Sequence, residues 1–308
     1  MTMNSSGPIS LAGTTAGVSI EIENGGNGTS TISLNCTAVR SLAGVPSGAI
    51  TMPTNFYGKS NQFTYTVSSA QTNFCMRAGA VSAGWNQSSK LVVNINSGVI
   101  ISSNTTGTPA MRIQGSFPGG VTVTNSGTIV GMGGNGGKGG GGSRINPISG
   151  GAGGTALKVC SSVTFNNVNT IAGGGGGGGG GGWGTVPTPC GCSYFVFCGG
   201  GGGGGRSSNA ANSSGGGVVS GQGCAGGSGT YASAGGGGAG FGSGGAGGGG
   251  NGGSGSNWGA SGNSGGSGAN CGGGSSGGAG GGAGGKATCG AGSYITWTGT
   301  GTRYGSIS

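Results

Sequence analysis

Ten consecutive glycines at residues 173–182, and seven more at 199–205, give this chain long stretches of backbone with no side chain to pack. Glycine costs about 1 kcal/mol against alanine inside a helix and also weakens strands, so both regular structures are disfavoured there. From Ser220 to Tyr294 there is no Leu, Ile or Val. That removes the apolar face an amphipathic helix or a half-buried strand has to bury. What remains is an extended helix of about three residues per turn and ~3.1 Å rise, of the polyproline II type. Without Cβ atoms, such polyglycine-II helices can lie side by side, each N–H meeting a carbonyl on a neighbour and Cα–H groups adding weak contacts to oxygen. Ordering costs ~1–2 kcal/mol per residue, so one helix cannot persist alone. Many short helices, clamped by disulfides or by a β-domain, are expected. Collagen is excluded because there is no strict Gly-X-Y period and only 8 prolines.

Composition narrows the function classes. Glycine accounts for 92 of 308 residues, while Leu, Ile, Val and Phe together make only 46, too few for one large apolar core. Glu21 and Glu23 are the only acids, and there is no Asp or His. General acid/base pairs, Ser-His-Asp triads and His or carboxylate metal sites therefore lack their parts, and the chain reads as a non-enzyme without cofactor or metal. Gly280 to Lys286 imitates a phosphate loop, but Ala287 stands where Ser or Thr would hold Mg²⁺. The net charge of +9 comes from basic residues never closer than six apart, which is no nucleic-acid stripe. Met1 to Ile20 shows neither a signal peptide nor a membrane span. Nine cysteines are many for a chain without a leader, and suggest synthesis in a cytosol followed by exposure to an oxidising exterior.

Four zones follow from the composition: a mixed segment at 1–60, a β-rich domain at 61–130, a polyglycine-helix slab with loops at 131–294, and a strand at 295–308 returning to the β-layer. In the first zone the pairs Ile20/Ile22 and Ile32/Leu34 read as short strands. An internal repeat joins the later zones. Val121-Thr122-Val123-Thr124-Asn125-Ser126-Gly127-Thr128-Ile129-Val130-Gly131 recurs 42 residues on, from Val163 to Gly173, and more loosely from Ile295 to Gly305. Ala110-Met111-Arg112-Ile113 answers Ala156-Leu157-Lys158-Val159, and Asn96-Ser97-Gly98 before Ile100 hints at a further copy. Strand, Asn/Gly turn, strand, repeated, predicts stacked β-layers.

Between the glycine runs lie segments of different chemistry. Residues 183–198, with Trp183, Tyr194, Phe195 and Phe197, form the most apolar stretch of the C-terminal half and are expected to be a loop at the slab's end. Arg206, Tyr231, Phe241 and Trp258 are further loop candidates. Aromatics on rigid loops give a binding surface contact area at low entropic cost. The plainer alternative, that they cap the slab or face another subunit, stays open. Cys190-Gly191-Cys192 with Cys198 lacks the usual metal spacing and a second paired motif. A short disulfide from Cys190 or Cys192 to Cys198, pinning the aromatic loop, is the expected use.

Gly7-Pro8-Ile9-Ser10-Leu11, Ile32-Ser33-Leu34-Asn35 and residues 38–50 and 56–60 resemble a module at the start of many tailed-bacteriophage virion proteins. Ser116-Phe117-Pro118-Gly119-Gly120-Val121-Thr122, running on to Gly131-Met132-Gly133-Gly134, resembles glycine-rich tail-fibre and adhesin proteins of that group. The glycine-rich part is also similar to the tail-fibre-tip adhesins of T-even-like phages, in which a sandwich of polyglycine helices holds variable loops that bind the host receptor. The N-terminal module departs from the attachment domain of those adhesins. The resemblance implies a virion protein on the phage tail or particle surface, made in the host cytoplasm. It implies other virion proteins as partners through residues 1–60, a host cell-surface protein or glycan as receptor, and a homotrimer. It implies no nucleic-acid partner and no membrane insertion. A purely architectural virion role is the first rival. An ice-binding protein is the second, against which the ten-glycine run and the β-rich front half argue.

Overall fold

The computed structural model describes residues 2–87, 89–188, 194–218, 223–242 and 248–308. The chain is organised as two compact units, one made of Met1–Tyr65, Ala80–Val93 and Ser116–Thr122, the other of Thr66–Gly79, Asn94–Gly115 and Val123–Ser308.

In the first unit Met3, Ile20, Val39, Leu42, Ala43 and Phe56 form a small buried core, with Ile9, Leu11, Ile32 and Leu34 packed against it. Two short helices supply part of it, α1 (Ile20–Glu23) and α2 (Thr37–Ala43). The strand expectation at Ile20/Ile22 is thus corrected. Ser19 accepts a hydrogen bond from the Ile22 amide, and Glu21 and Glu23 lie in the first turn, where carboxylates favour a helix start. Ile32 and Leu34 lie outside any strand as well and serve the core from irregular backbone. A two-residue alternation cannot separate these outcomes, because a helix start and a strand both bury one residue in every few.

The rest is mainly β and mostly parallel. Three strands make each coil of the chain: β1 (Gln62–Val67), β2 (Gln71–Thr72) and β3 (Phe74–Cys75), then after the helix α3 (Met76–Ser82) β4 (Lys90–Ile95), β5 (Ile100–Ser102) and β6 (Met111–Ile113). The third coil has β7 (Val121–Asn125), β8 (Thr128–Val130) and β9 (Leu157–Val159). The fourth has β10 (Val163–Asn167) and β11 (Thr170–Ala172), and closes only after a long excursion that contains β12 (Gly184–Pro187) and β13 (Tyr194–Phe197), with β14 (Thr288–Cys289). After α4 (Ala291–Tyr294), a last half-coil adds β15 (Ile295–Trp297) and β16 (Thr302–Tyr304). Like strands stack on like, in the orders β1-β4-β7-β10-β15, β16-β11-β8-β5-β2 and β14-β9-β6-β3, so the coils build a three-faced parallel solenoid.

The register agrees with the internal repeat residue for residue. Thr170 pairs with Thr128 and with Thr302, Val163 with Ile295, and Met111 with Leu157. The copy at Asn96-Ser97-Gly98 belongs to the stack one step out of the register its motif suggests, since Ile101, not Ile100, pairs with Ile129. Strand alternation sends Val121, Val123, Val163 and Phe165 inward, and Ile101, Ile129 and Ile171 form a fully buried stack. At one corner the buried Asn125 donates its Nδ2 to Asn167 Oδ1 at 2.9 Å, which satisfies polar groups that burial would otherwise penalise. In the last half-coil the Ile171 position is taken by Arg303, whose guanidinium lies 4.6 Å from the Trp297 ring centre.

Both glycine excursions leave the solenoid at one corner, after β8 and after β11, and return on the adjacent strands β9 and β14. The ladder bonds continue into them. Gly131 donates to Ala172, Gly173 to Tyr304, and Ala156 to Lys286, at 2.9–3.0 Å. The run 173–182 is buried throughout, and its hydrogen bonds follow a repeat of three. Gly174, Gly177 and Gly180 donate to Gly154, Gly151 and Ile148, at 2.9–3.0 Å. Gly175, Gly178 and Gly181 donate to Arg206, Gly203 and Gly200, and Gly176, Gly179 and Gly182 to Ala260, Asn263 and Gly266. The carbonyls of the same run accept from three further segments, 134–140, 250–256 and 279–285. Buried main-chain groups are thereby paired with no apolar side chain present.

Candidate functional site

The ascending and descending glycine segments connect at two ends. At the end joined to the solenoid lie the turns at 207–212, 231–234 and 257–259. At the far end lie residues 141–147, the strands 184–187 and 194–197 with Phe241 beside them, and the turn at 267–275. Nine steps of extended backbone from Gly173 to Gly182 separate the two, at most about 30 Å. The fold therefore sorts the sequence candidates into two groups.

Arg206, Tyr231 and Trp258 belong to the solenoid end. The Arg206 guanidinium sits 3.6 Å from the centre of the Trp258 ring, and its Nε donates to the Tyr231 carbonyl at 2.9 Å. Trp258 packs against Tyr231 at 5.3 Å and against Tyr304 at 6.1 Å between ring centres, and its Nε1 donates to the Ser207 carbonyl at 3.1 Å. These contacts tie all three turns to the last half-coil, with cation–π and edge-on aromatic packing. Replacing Trp258 by Ala is expected to lower stability by about 2–3 kcal/mol, somewhat below the cost for a fully buried ring. Thermal unfolding measures that loss.

Trp183, Tyr194, Phe195, Phe197 and Phe241 collect at the far end. Residues 184–187 and 194–197 form an antiparallel hairpin rather than an irregular loop, with Val186 opposite Phe195. Thr185 fastens it: its amide donates to the Ala269 carbonyl at 3.1 Å and its Oγ1 to the Gly274 carbonyl at 2.6 Å. Trp183 is buried, with Nε1 3.4 Å from Asn146 Oδ1 and Arg144 over its ring at 5.8 Å. The Tyr194 ring lies flat on Gly273, where no Cβ would fit. Phe197 stacks on Phe241 at 5.7 Å and 24°. What faces solvent is Phe195 at 58 %, with Tyr194, Phe241 and Ile145 between 40 and 48 %.

Trp183 and Phe197 thus support the tip, whereas Phe195, Tyr194 and Phe241 form its surface. Ile145 was missed by the sequence reading. Two isoleucines, Ile145 and Ile148, in a polar segment between glycine runs were the available signal. Cys190 and Cys192, either of which was expected to bridge to Cys198, lie outside the described residues, and Cys198 itself is buried.

A family model described as phage tail fibre adhesin Gp38 matches residues 62–308. Among solved structures, the chain is similar to one in the crystal structure of the gp37-gp38 adhesin tip complex of the bacteriophage S16 long tail fibre. The two are 23% identical, the match covers 96% of this chain and 99% of that one, and the TM-score is 0.52. No curated protein sequence matches.

Proposed function

Because the chain belongs to the Gp38 family of phage tail fibre adhesins, we propose that it binds a host cell-surface receptor through the far end of its glycine slab. The observation that carries this reading is the gathering of 141–147, the paired strands 184–187 and 194–197, and Phe241 at one end, with Phe195, Tyr194, Phe241 and Ile145 exposed there. Exposed apolar side chains on a rigid scaffold supply binding area at little entropic cost. The reading is of binding without chemistry.

The slab is read as a sandwich of polyglycine-II helices. The repeat of three in hydrogen-bond direction along 173–182, with six neighbouring segments, supports three residues per turn. The N-terminal segment 1–60, which lies outside the matched family region, is read as the attachment module toward other tail proteins. The similarity to an adhesin tip complex supports that assignment, and with it a place on the virion tail; synthesis in the host cytoplasm is part of the same proposal.

The test replaces residues 183–198 by a Gly-Ser linker and measures adsorption of purified protein to cells of a sensitive strain. Loss of adsorption in a variant that keeps the wild-type β circular dichroism supports the reading. Unchanged adsorption, or a folded wild type that never adsorbs, turns the assignment toward virion architecture.

A further inference from the structure

The second unit carries eight basic side chains, Arg77, Arg112, Lys138, Arg144, Lys158, Arg206, Lys286 and Arg303, and no acidic one. Three of these arginines lie over indole rings, Arg144 on Trp183, Arg206 on Trp258 and Arg303 on Trp297. Lys286 donates to Ser308 Oγ at 3.0 Å. Others converge on one face of the solenoid. The outward row of the β14-β9-β6-β3 sheet reads Cys289, Lys158, Arg112, Cys75 in register. Arg112 and Lys158 are therefore direct neighbours on adjacent strands, ~4.8 Å apart along the sheet. Like charges directly opposite are destabilising. Arg112 Nε is in addition buried without a hydrogen-bond partner, which leaves its desolvation cost uncompensated.

Two recesses flank the row. One of ≈ 320 Å³ is lined by Cys75, Arg77, Ala78, Gln114 and Gly115, with the Arg77 stem so close to Gly115 that a Cβ there would come within 2.7 Å of Cδ. The other, of ≈ 170 Å³, is walled by Thr106, Thr155 and Lys158 among others. The larger is at the lower end of the ~300–1,000 Å³ typical of small-molecule sites. A second copy of this chain does not fit the charge, because its only acidic side chains, Glu21 and Glu23, are buried.

We propose that this face binds a phosphorylated saccharide, with the phosphate between Arg112 and Lys158 and the sugar in the recess beside Arg77 and Gln114. An anion there would offset the like-charge pair on the outward row. The guanidinium and ammonium supply charge-assisted hydrogen bonds. The amide of Gln114 offers the mixed donor and acceptor that sugar hydroxyls need.

Calorimetric titration of the full chain at low ionic strength with glucose phosphate, inorganic phosphate, glucose and polyglutamate tests this. Glucose phosphate is expected to bind more tightly than inorganic phosphate, and glucose not at all. The double variant Arg112→Gln, Lys158→Gln should bind glucose phosphate about tenfold more weakly or worse while melting no lower than the wild type. The single variant Lys158→Gln, at an exposed position, gives the same direction if the double variant folds poorly. Phe195→Ala should leave this binding unchanged, which separates it from the tip. Absence of glucose phosphate binding by the wild type, or binding undiminished in the folded variants, overturns the proposal. Phosphate binding as tightly as glucose phosphate overturns its saccharide half. Polyglutamate binding without glucose phosphate binding replaces it with an acidic protein partner.

Discussion

Gly178→Ala is expected to prevent the glycine region from ordering, while Gly280→Ala and Gly236→Ala leave the protein as stable as before or slightly more so. A methyl on Gly178 would overlap the carbonyl of Gly253, and backbone on both sides is locked by hydrogen bonds to other segments. No flexible side chain stands there to move aside. The cost belongs with the exceptional substitutions, about 4 kcal/mol or more, because strain and lost pairing act together. Gly236 and Gly280 face open space, where an added methyl meets nothing within 4 Å. At such positions alanine gains about 0.4–1 kcal/mol by restricting the unfolded chain. Differential scanning calorimetry and amide exchange across 173–182 distinguish these outcomes. Equal tolerance at all three sites would show that close backbone packing is not what orders the region.

The second large effect is on adsorption. Phe195→Ala combined with Phe241→Ala is expected to reduce binding to sensitive cells by about thirtyfold or more, the magnitude of a hot-spot truncation near 2 kcal/mol. Phe195 is the most exposed aromatic of the tip, so its removal creates no cavity, and Phe241 has one face on Phe197 and the other in solvent. The melting temperature should shift by little. Adsorption kinetics on whole cells, beside Trp258→Ala as a variant that weakens the scaffold and not the tip, provide the measurement. If the double variant adsorbs normally, the exposed aromatics are not the receptor contact.

The glycine runs, the near absence of acids and the repeat were all legible from residue order. The repeat gave more than a fold class, since its 42-residue offset is the observed pairing of Ile129 with Ile171. The assignment of Ile20 and Ile22 to a strand failed on local chemistry that was also present in the sequence, the Ser19 cap and the two glutamates. The candidate aromatics stand out in the sequence as islands between glycine runs, but nothing local distinguished Trp258 from Phe195. One is clamped under Arg206 and the other is exposed, and that difference depends on partners far away along the chain.

Residue order alone determined that a large apolar core could not form and that strands would stack as similar coils, because both follow from side-chain inventory and period. It determined as well that the glycine segments needed partners, since their backbone groups had to be paired once buried. Tertiary structure alone decided that both excursions spring from one corner of the solenoid, and that Trp258 is held at the solenoid end while Phe195 is carried to the far end. The physical reason is that glycine carries no side-chain pattern to encode a neighbour. Which segment each one meets is set instead by the register of the coils that anchor it and by the lengths of the runs between turns.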